Sequence, residues 1–301
     1  MKPTTPRSFT LYRIDFTVES PVIYTDYTGK LVKSILATAS KRLEEVLTEK
    51  PRRTPKPVSL SPVLLAEGER LRPLYPRSRG PGEPAGSVTL HPGRLYSFLL
   101  GFEASLAEAV QELVYRLLAG LEVETKTGPV VFRMQGFSEL ARYNPGAGPL
   151  YKPRPGGRVE VETLAPVLPT SPLLPGSRMK RLDPSPLHVF SVNIHSLYPG
   201  SLQALRAVEL LVPEPGYCRT MRREWYIYDG RPLPALRGRL SYRVDDSLRD
   251  VDEDTLRDML ETLAHVLSHA AVMGIGSSRA TGFGRVRISV EEPGEAQGRG
   301  R

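Results

Sequence analysis

Apolar and polar residues alternate near the start of the chain. Tyr12, Ile14, Phe16 and Val18 point one way, and Arg13, Asp15 and Thr17 the other. A period of two over this length predicts a half-buried strand at 8–18. After a turn with Asp26 and Gly29 the period changes to 3.6. Leu31, Val32, Ile35, Ala39, Leu43, Val46 and Leu47 then form one apolar face, which predicts a helix over 30–48 with Lys30, Lys33 and Lys41 on its opposite side. Strands are predicted at 58–65 and 87–100, with a proline- and arginine-rich loop at 67–86 between them. A second amphipathic helix at 103–118 and a closing strand at 130–137 complete the order β-α-β-β-α-β. That is the split βαβ, or ferredoxin-like, plan.

The same order recurs downstream. A strand is predicted at 159–167, helical segments at 185–212, and a hairpin at 225–244 turning at Asp229-Gly230. A helix at 254–273, a glycine-rich loop and a strand at 284–290 close the unit. The expectation is an α+β chain of two tandem ferredoxin-like (RRM-like) domains. Their bounds are 1–142 and 159–290, with an exposed proline- and glycine-rich linker at 143–158 and a disordered tail at 291–301. The halves share no sequence repeat, so the duplication rests on element order.

Composition narrows the partner. The 301 residues carry a formal charge of +8, which favours a polyanion, nucleic acid before an anionic membrane surface. No apolar run approaches the roughly 18–20 residues of a spanning helix, and no signal-peptide pattern opens the sequence, so a soluble cytoplasmic protein is expected. Cys218 is the only cysteine, which excludes an internal disulfide and a cysteine metal cage. Arginine outnumbers lysine, yet five of the nine lysines fall within 30–56 (Lys30, Lys33, Lys41, Lys50 and Lys56). That concentration invites a chemical explanation, with a solvated helix face as the plainer one.

The segment from Met273 to Arg287 holds Gly274, Gly276, Gly282 and Gly284 with Arg279, Arg285 and Arg287. A dinucleotide loop follows a strand and opens a helix. Here the loop follows a helix and opens a strand, and Arg279 stands where the third fingerprint glycine belongs. No nucleotide cofactor is therefore expected. The loop either presents amides and arginines to a nucleic-acid backbone or is a tight connection. His265 and His269 have the i, i+4 spacing of a two-histidine metal site. They share the polar helix face with Asp258 and Glu261 and lack a third ligand, so a surface pair and no metal are expected. His188 and His195 read as structural. Tyr24 and Tyr27 could stack on bases or pack internally. Lys50, Arg52, Arg53 and Lys180 are candidate phosphate contacts in basic segments, with a solvated loop as the alternative.

The element order, together with Gly274-Ile275-Gly276-Ser277-Ser278-Arg279 and Gly282-Phe283-Gly284, resembles the RAMP superfamily of CRISPR-associated proteins. Gly29-Lys30-Leu31-Val32-Lys33-Ser34-Ile35-Leu36 and Lys56-Pro57-Val58-Ser59-Leu60-Ser61 are similar to the family of CRISPR-associated protein six, the pre-crRNA processing endoribonucleases. The resemblance implies metal-independent cleavage of CRISPR repeat RNA by 2′-OH attack, leaving 5′-OH and 2′,3′-cyclic phosphate ends. Many members use a histidine near the first helix, whereas the first histidine here is His91. The resemblance to crenarchaeal members then implies a lysine and arginine site at Lys30, Lys33, Lys56, Arg237 and Arg279. It places RNA against Tyr27, Lys50, Arg52, Arg53, Lys180, Gly274, Gly276, Ser277, Gly282 and Gly284. Implied partners are the repeat RNA and crRNA, a CRISPR effector complex and a second copy in a homodimer, with no membrane. Two other readings stand beside it: a non-catalytic RAMP subunit that holds crRNA, and an unrelated ferredoxin-like RNA-binding module.

Overall fold

The computed structural model describes residues 7–49, 55–67, 70–78, 80, 86–172, 182–248 and 251–293. The first half contains β1 (Phe9–Val18), β2 (Val22–Tyr24), α1 (Gly29–Ala39), α2 (Lys41–Thr48), β3 (Val58–Leu60), β4 (Leu64–Glu67), β5 (Arg70–Pro73), β6 (Arg77–Ser78), β7 (Val88–Leu90), β8 (Tyr96–Glu103), α3 (Ala107–Ala119), β9 (Leu121–Thr125) and β10 (Gly128–Tyr143). The second half follows with β11 (Arg158–Thr163), α4 (Pro186–Leu197), α5 (Leu202–Glu209), β12 (Leu211–Pro213), β13 (Arg222–Tyr228), β14 (Arg231–Arg237), β15 (Arg239–Val244), α6 (Glu253–Met273) and β16 (Val286–Glu291).

The first sheet runs β5-β4-β8-β1-β10-β9, with β3 also on β8, and the second runs β12-β15-β11-β16. In both, the first strand of the unit lies between the last and the third, and all pairings are antiparallel. This is the ferredoxin-like order, formed twice. Along β1 the even positions Ile14, Phe16 and Val18 enter a front core beneath α1, α2 and α3. The odd positions Phe9 and Leu11 enter a back core with Leu99, Tyr143 and the apolar faces of α4, α5 and α6.

Several elements differ from expectation, each for a local reason. The helix expected over 30–48 breaks at Ser40, whose extended backbone (φ −146°, ψ 127°) separates α1 from α2 while both keep their leucines and valines in the front core. Pro62 lacks the N–H that a continuous strand needs, so 58–65 divides into β3 and β4. The strand expected at 87–100 is β7 and β8, parted at His91-Pro92-Gly93. The loop at 67–86 contributes the short strands β5 and β6. The hairpin expected to end at Val244 ends at Arg237, and β15 belongs to a different sheet.

The connection between β10 and β11 is tied down. The Leu150 amide donates to Ser268 Oγ (2.7 Å), and Tyr151 packs on the back core. Among the described residues no helix is long and apolar enough to cross a membrane.

Helix α6 corrects one expectation outright. It packs on both sheets, against β1, β8 and β10 on one side and β16, α4 and α5 on the other. Its C-terminal half is buried on every side, so His265 and His269 are each 1% exposed and do not form a surface pair. His265 Nδ1 is hydrogen-bonded to the Tyr143 hydroxyl (2.8 Å), and His269 Nδ1 pairs with Asn193 Nδ2 (2.9 Å). Burial holds both histidines below the ordinary value. Where it is clamped between two layers, from Thr262 onward, the helix has no polar face, whatever its sequence pattern suggests.

Candidate nucleic-acid interface

The loop after α6 folds back on itself. The Ile275 amide donates to the Gly284 carbonyl (2.8 Å), and a Cβ on Gly284 would collide with the Ile275 carbonyl oxygen. The four glycine amides and that of Ser277 are also engaged: Gly274 with Ala270, Gly276 with Val189, Ser277 with Leu168, Gly282 with Arg279 and Gly284 with Pro166. All four glycines are buried. Their amides are therefore spent inside the protein, which corrects the picture of a loop cradling phosphate. Ser277 also donates its hydroxyl to Leu168 (3.1 Å). The outer part of the loop is Ser278, which is exposed in a left-handed conformation (φ 61°), and the half-exposed Thr281.

Arg279 lies inward, 5% exposed. Its guanidinium donates to the Gly274 carbonyl (3.3 Å) and reaches Ser196 Oγ (3.5 Å). Arg285, fully buried, donates to the carbonyls of Val272 (2.7 Å) and Ala271 (3.4 Å) and to Ser59 Oγ (2.8 Å). The last carbonyls of a helix have no intrahelical donor and carry the negative end of its dipole. The two arginines supply both donors and charge there. Burial lowers their pKa to about 10 for Arg279 and about 9 for Arg285. As placed, Arg279 cannot touch a phosphorane. Arg285 precedes β16 and turns inward, while Arg287 on that strand is exposed.

The loop meets the start of α1 through glycine. A Cβ on Gly29 would strike the Thr281 carbonyl, and Gly282 has the Gly29 Cα on its own open side. The Tyr27 hydroxyl donates to the Gly282 carbonyl (2.8 Å), and its ring stacks on Phe283 with centroids 4.4 Å apart. Tyr75, Tyr226, Leu168 and Ala235 complete this third apolar cluster. Tyr27 is fully buried and offers no face to a base, another correction to the expected interface.

The four candidate lysines and arginines outside the loop separate into two groups. Lys30 Nζ is held by Asp26 Oδ2 (2.9 Å) and by Asp229 at the tip of the β13–β14 hairpin, and it lies 5.4 Å from the Tyr228 ring centroid. Partial burial would lower its pKa, but hydrogen bonds to Asp229 and Asp26 outweigh that and raise it. Such a lysine ties α1 to the hairpin and holds its proton. Arg237, half-buried on β14, faces Glu224 (4.0 Å), which also accepts from the Tyr226 hydroxyl (2.7 Å).

Lys33 and Lys56 differ. Lys33 follows Gly29 by four residues, on the face of α1 that meets the loop, and has no carboxylate partner among the described residues. Lys56 precedes β3, which also packs against the Arg279–Thr281 turn, and its Nζ donates to the Leu47 carbonyl (2.8 Å). Burial first, and then the nearby charge of Lys33, lower the pKa of Lys56. A lysine pair with one member shifted downward can both neutralise a phosphate and move a proton.

Lys50, Arg52, Arg53 and Lys180 lie outside the described residues. Among the described residues no group of three histidine, cysteine or carboxylate side chains is placed to hold a metal ion.

Residues 10–134 match the family model of the Cas6 N-terminal domain. No curated protein matches the sequence. Among solved structures, Cas6 of Thermus thermophilus is similar with a TM-score of 0.58 at 14% identity, over 95% of this chain and 100% of its own. The product complex of that Cas6 gives 0.59 at 17% identity with the same coverage. A second Cas6 product complex gives 0.59 at 14%, covering 94% of this chain and 99% of its own. At these identities the structural likeness is one of fold.

Proposed function

We propose that this chain, a Cas6-family member of the CRISPR-associated RAMP proteins, is an endoribonuclease that cleaves CRISPR repeat RNA without a metal ion. The observation that carries the reading is the Lys33–Lys56 pair beside the glycine loop, with the pKa of Lys56 lowered by burial and by its neighbour. In the proposed reaction the 2′-oxygen attacks the adjacent phosphorus and loses its proton. The phosphorus–5′-oxygen bond breaks, the 5′-oxygen gains a proton, and the products end in 2′,3′-cyclic phosphate and 5′-OH. Lys33 offsets the charge of the phosphorane. Lys56, whose lowered pKa eases the loss of its proton, passes the proton between the two oxygens.

The test is to incubate labelled repeat RNA with the protein in EDTA. One discrete cut with a 5′-OH end is expected. A requirement for added Mg²⁺, or 5′-phosphate products, would overturn the mechanism.

A second reading has an observation in its favour. Lys30 and Arg279 are committed to structure, and no histidine lies on α1. A RAMP subunit that binds crRNA and cuts nothing would retain the repeat RNA intact in the same experiment.

A further inference from the structure

The strands β14, β13 and β6 form a separate three-stranded sheet. Its inner face, with Tyr226, Ala235, Tyr228 and Leu233, closes the tyrosine cluster. Alternation turns Arg223, Trp225 and Ile227 outward, with Trp225 opposite Pro234 and Ile227 opposite Pro232. Trp225 is half-buried, and the exposed Arg223 guanidinium carbon lies 5.6 Å from its ring centroid.

Pro232 and Pro234 have no amide to donate, so this stretch of the outer edge of β14 is closed to a further strand. What remains is the face itself, an indole flanked by proline rings and a cation.

Charge identifies its occupant. The hairpin at 222–237 holds four arginines against two carboxylates. Both carboxylates are engaged, Glu224 by Arg77 and Arg237 and Asp229 by Lys30. Arg222, Arg223 and Arg231 have no carboxylate partner among the described residues. An aromatic ring with an uncommitted arginine against it suits a polyanion whose monomers each carry a flat ring.

We infer that this outer face is a stacking platform for single-stranded RNA, with a base on Trp225 and a neighbouring phosphate on Arg223 of the same face. It rests on the RNA reading above and extends it to a subsite outside the lysine pair. A duplex, whose bases are already stacked on one another, leaves the platform empty.

Trp225 is the only tryptophan in the chain, so its fluorescence reports this site alone. The probe is a 2′-O-methyl RNA single strand of about ten nucleotides. It lacks the 2′-hydroxyl nucleophile, so binding is read apart from cleavage. Saturable quenching of the full-length protein is expected, with none from heparin, a polyanion without bases, at equal occupancy. Trp225→Leu should weaken binding about tenfold, and Trp225→Phe should restore most of it.

Saturated binding without quenching, or equal quenching by heparin, would overturn the platform. Absence of binding by Trp225→Phe, with its fold intact by circular dichroism, would do the same. Cleavage of repeat RNA without quenching sinks this inference and spares the enzyme, whereas quenching without cleavage does the reverse.

Discussion

Lys30 and Lys33 stand one helical turn apart on α1 and face different chemistry. Lys30 is fixed between two carboxylates, while Lys33 is left to lower the pKa of Lys56. In single-turnover cleavage, Lys33→Ala and Lys56→Ala are each expected to cost about 10²-fold, the scale of a lost electrostatic or acid–base contribution. Lys41, exposed on α2, serves as the control. Equal losses at Lys41 and Lys33 would mean a diffuse basic surface. Lys30→Ala should instead lower the unfolding midpoint by loosening α1 from the hairpin.

Sequence spacing put all these cations on a plausible face, but it could not distinguish the paired from the free. Asp229 lies 199 residues from Lys30, and no periodicity reports such a neighbour. The buried histidines escaped for the same reason, and they carry a pH prediction. His269 stays neutral in the folded state but titrates near the ordinary 6.5 when unfolded. The unfolded chain therefore binds the extra proton, and stability should fall as the pH drops below about 6.5, by up to about 1.4 kcal/mol per pH unit for each such histidine. Urea midpoints between pH 5 and 8 should show this slope, and His269→Gln should flatten it. An unchanged slope in the variant would place the proton uptake elsewhere.

At the scale of elements, patterning performed well wherever one face of an element meets the core. The first strand and α3 lie close to their expected positions because a single period runs through each. It failed where one residue overrides the period, as at Ser40 and Pro62. It also failed where an element has two partners, as in α6. The glycine loop was recognisable as unusual, yet its reason is packing. Gly29 and Gly282 let α1 and the loop touch backbone to backbone, and the four glycine amides of the loop donate to carbonyls within the protein. Gly29→Ala should therefore cost about 1–3 kcal/mol through forced displacement of the Thr281 carbonyl. Because Lys33 lies one turn beyond, the same change should also slow cleavage. Gly86→Ala, with open space around its added methyl, is the neutral comparison. Denaturation curves for the two variants provide the measurement, and equal midpoints would show that the seam between α1 and the loop can yield.

The two ferredoxin-like units of the whole molecule are joined by more than a connecting segment. Phe9, Leu11, Leu64, Leu99 and Tyr143 belong to the first sheet, yet they pack with α6 in the back core. Removing the second half would expose these side chains on one face of a sheet, at roughly 1.5–3 kcal/mol for each large apolar group left in water. Lys30 with Asp229, and Tyr27 with Phe283 and Tyr226, add a second joint beside the lysine pair. Units coupled over two such surfaces should unfold together. Calorimetry is expected to give a single transition, with activity lost along the same curve as the far-ultraviolet dichroism. The proposed site requires this coupling, because Lys33 and Lys56 come from the first unit and the loop against them from the second. Lys30→Ala should broaden or split the transition, since it removes an ion pair between α1 of the first unit and the hairpin of the second. Two separate transitions in the unaltered protein, or activity lost well before the fold, would show that the halves move independently and that the loop and the lysines meet only when RNA holds them together.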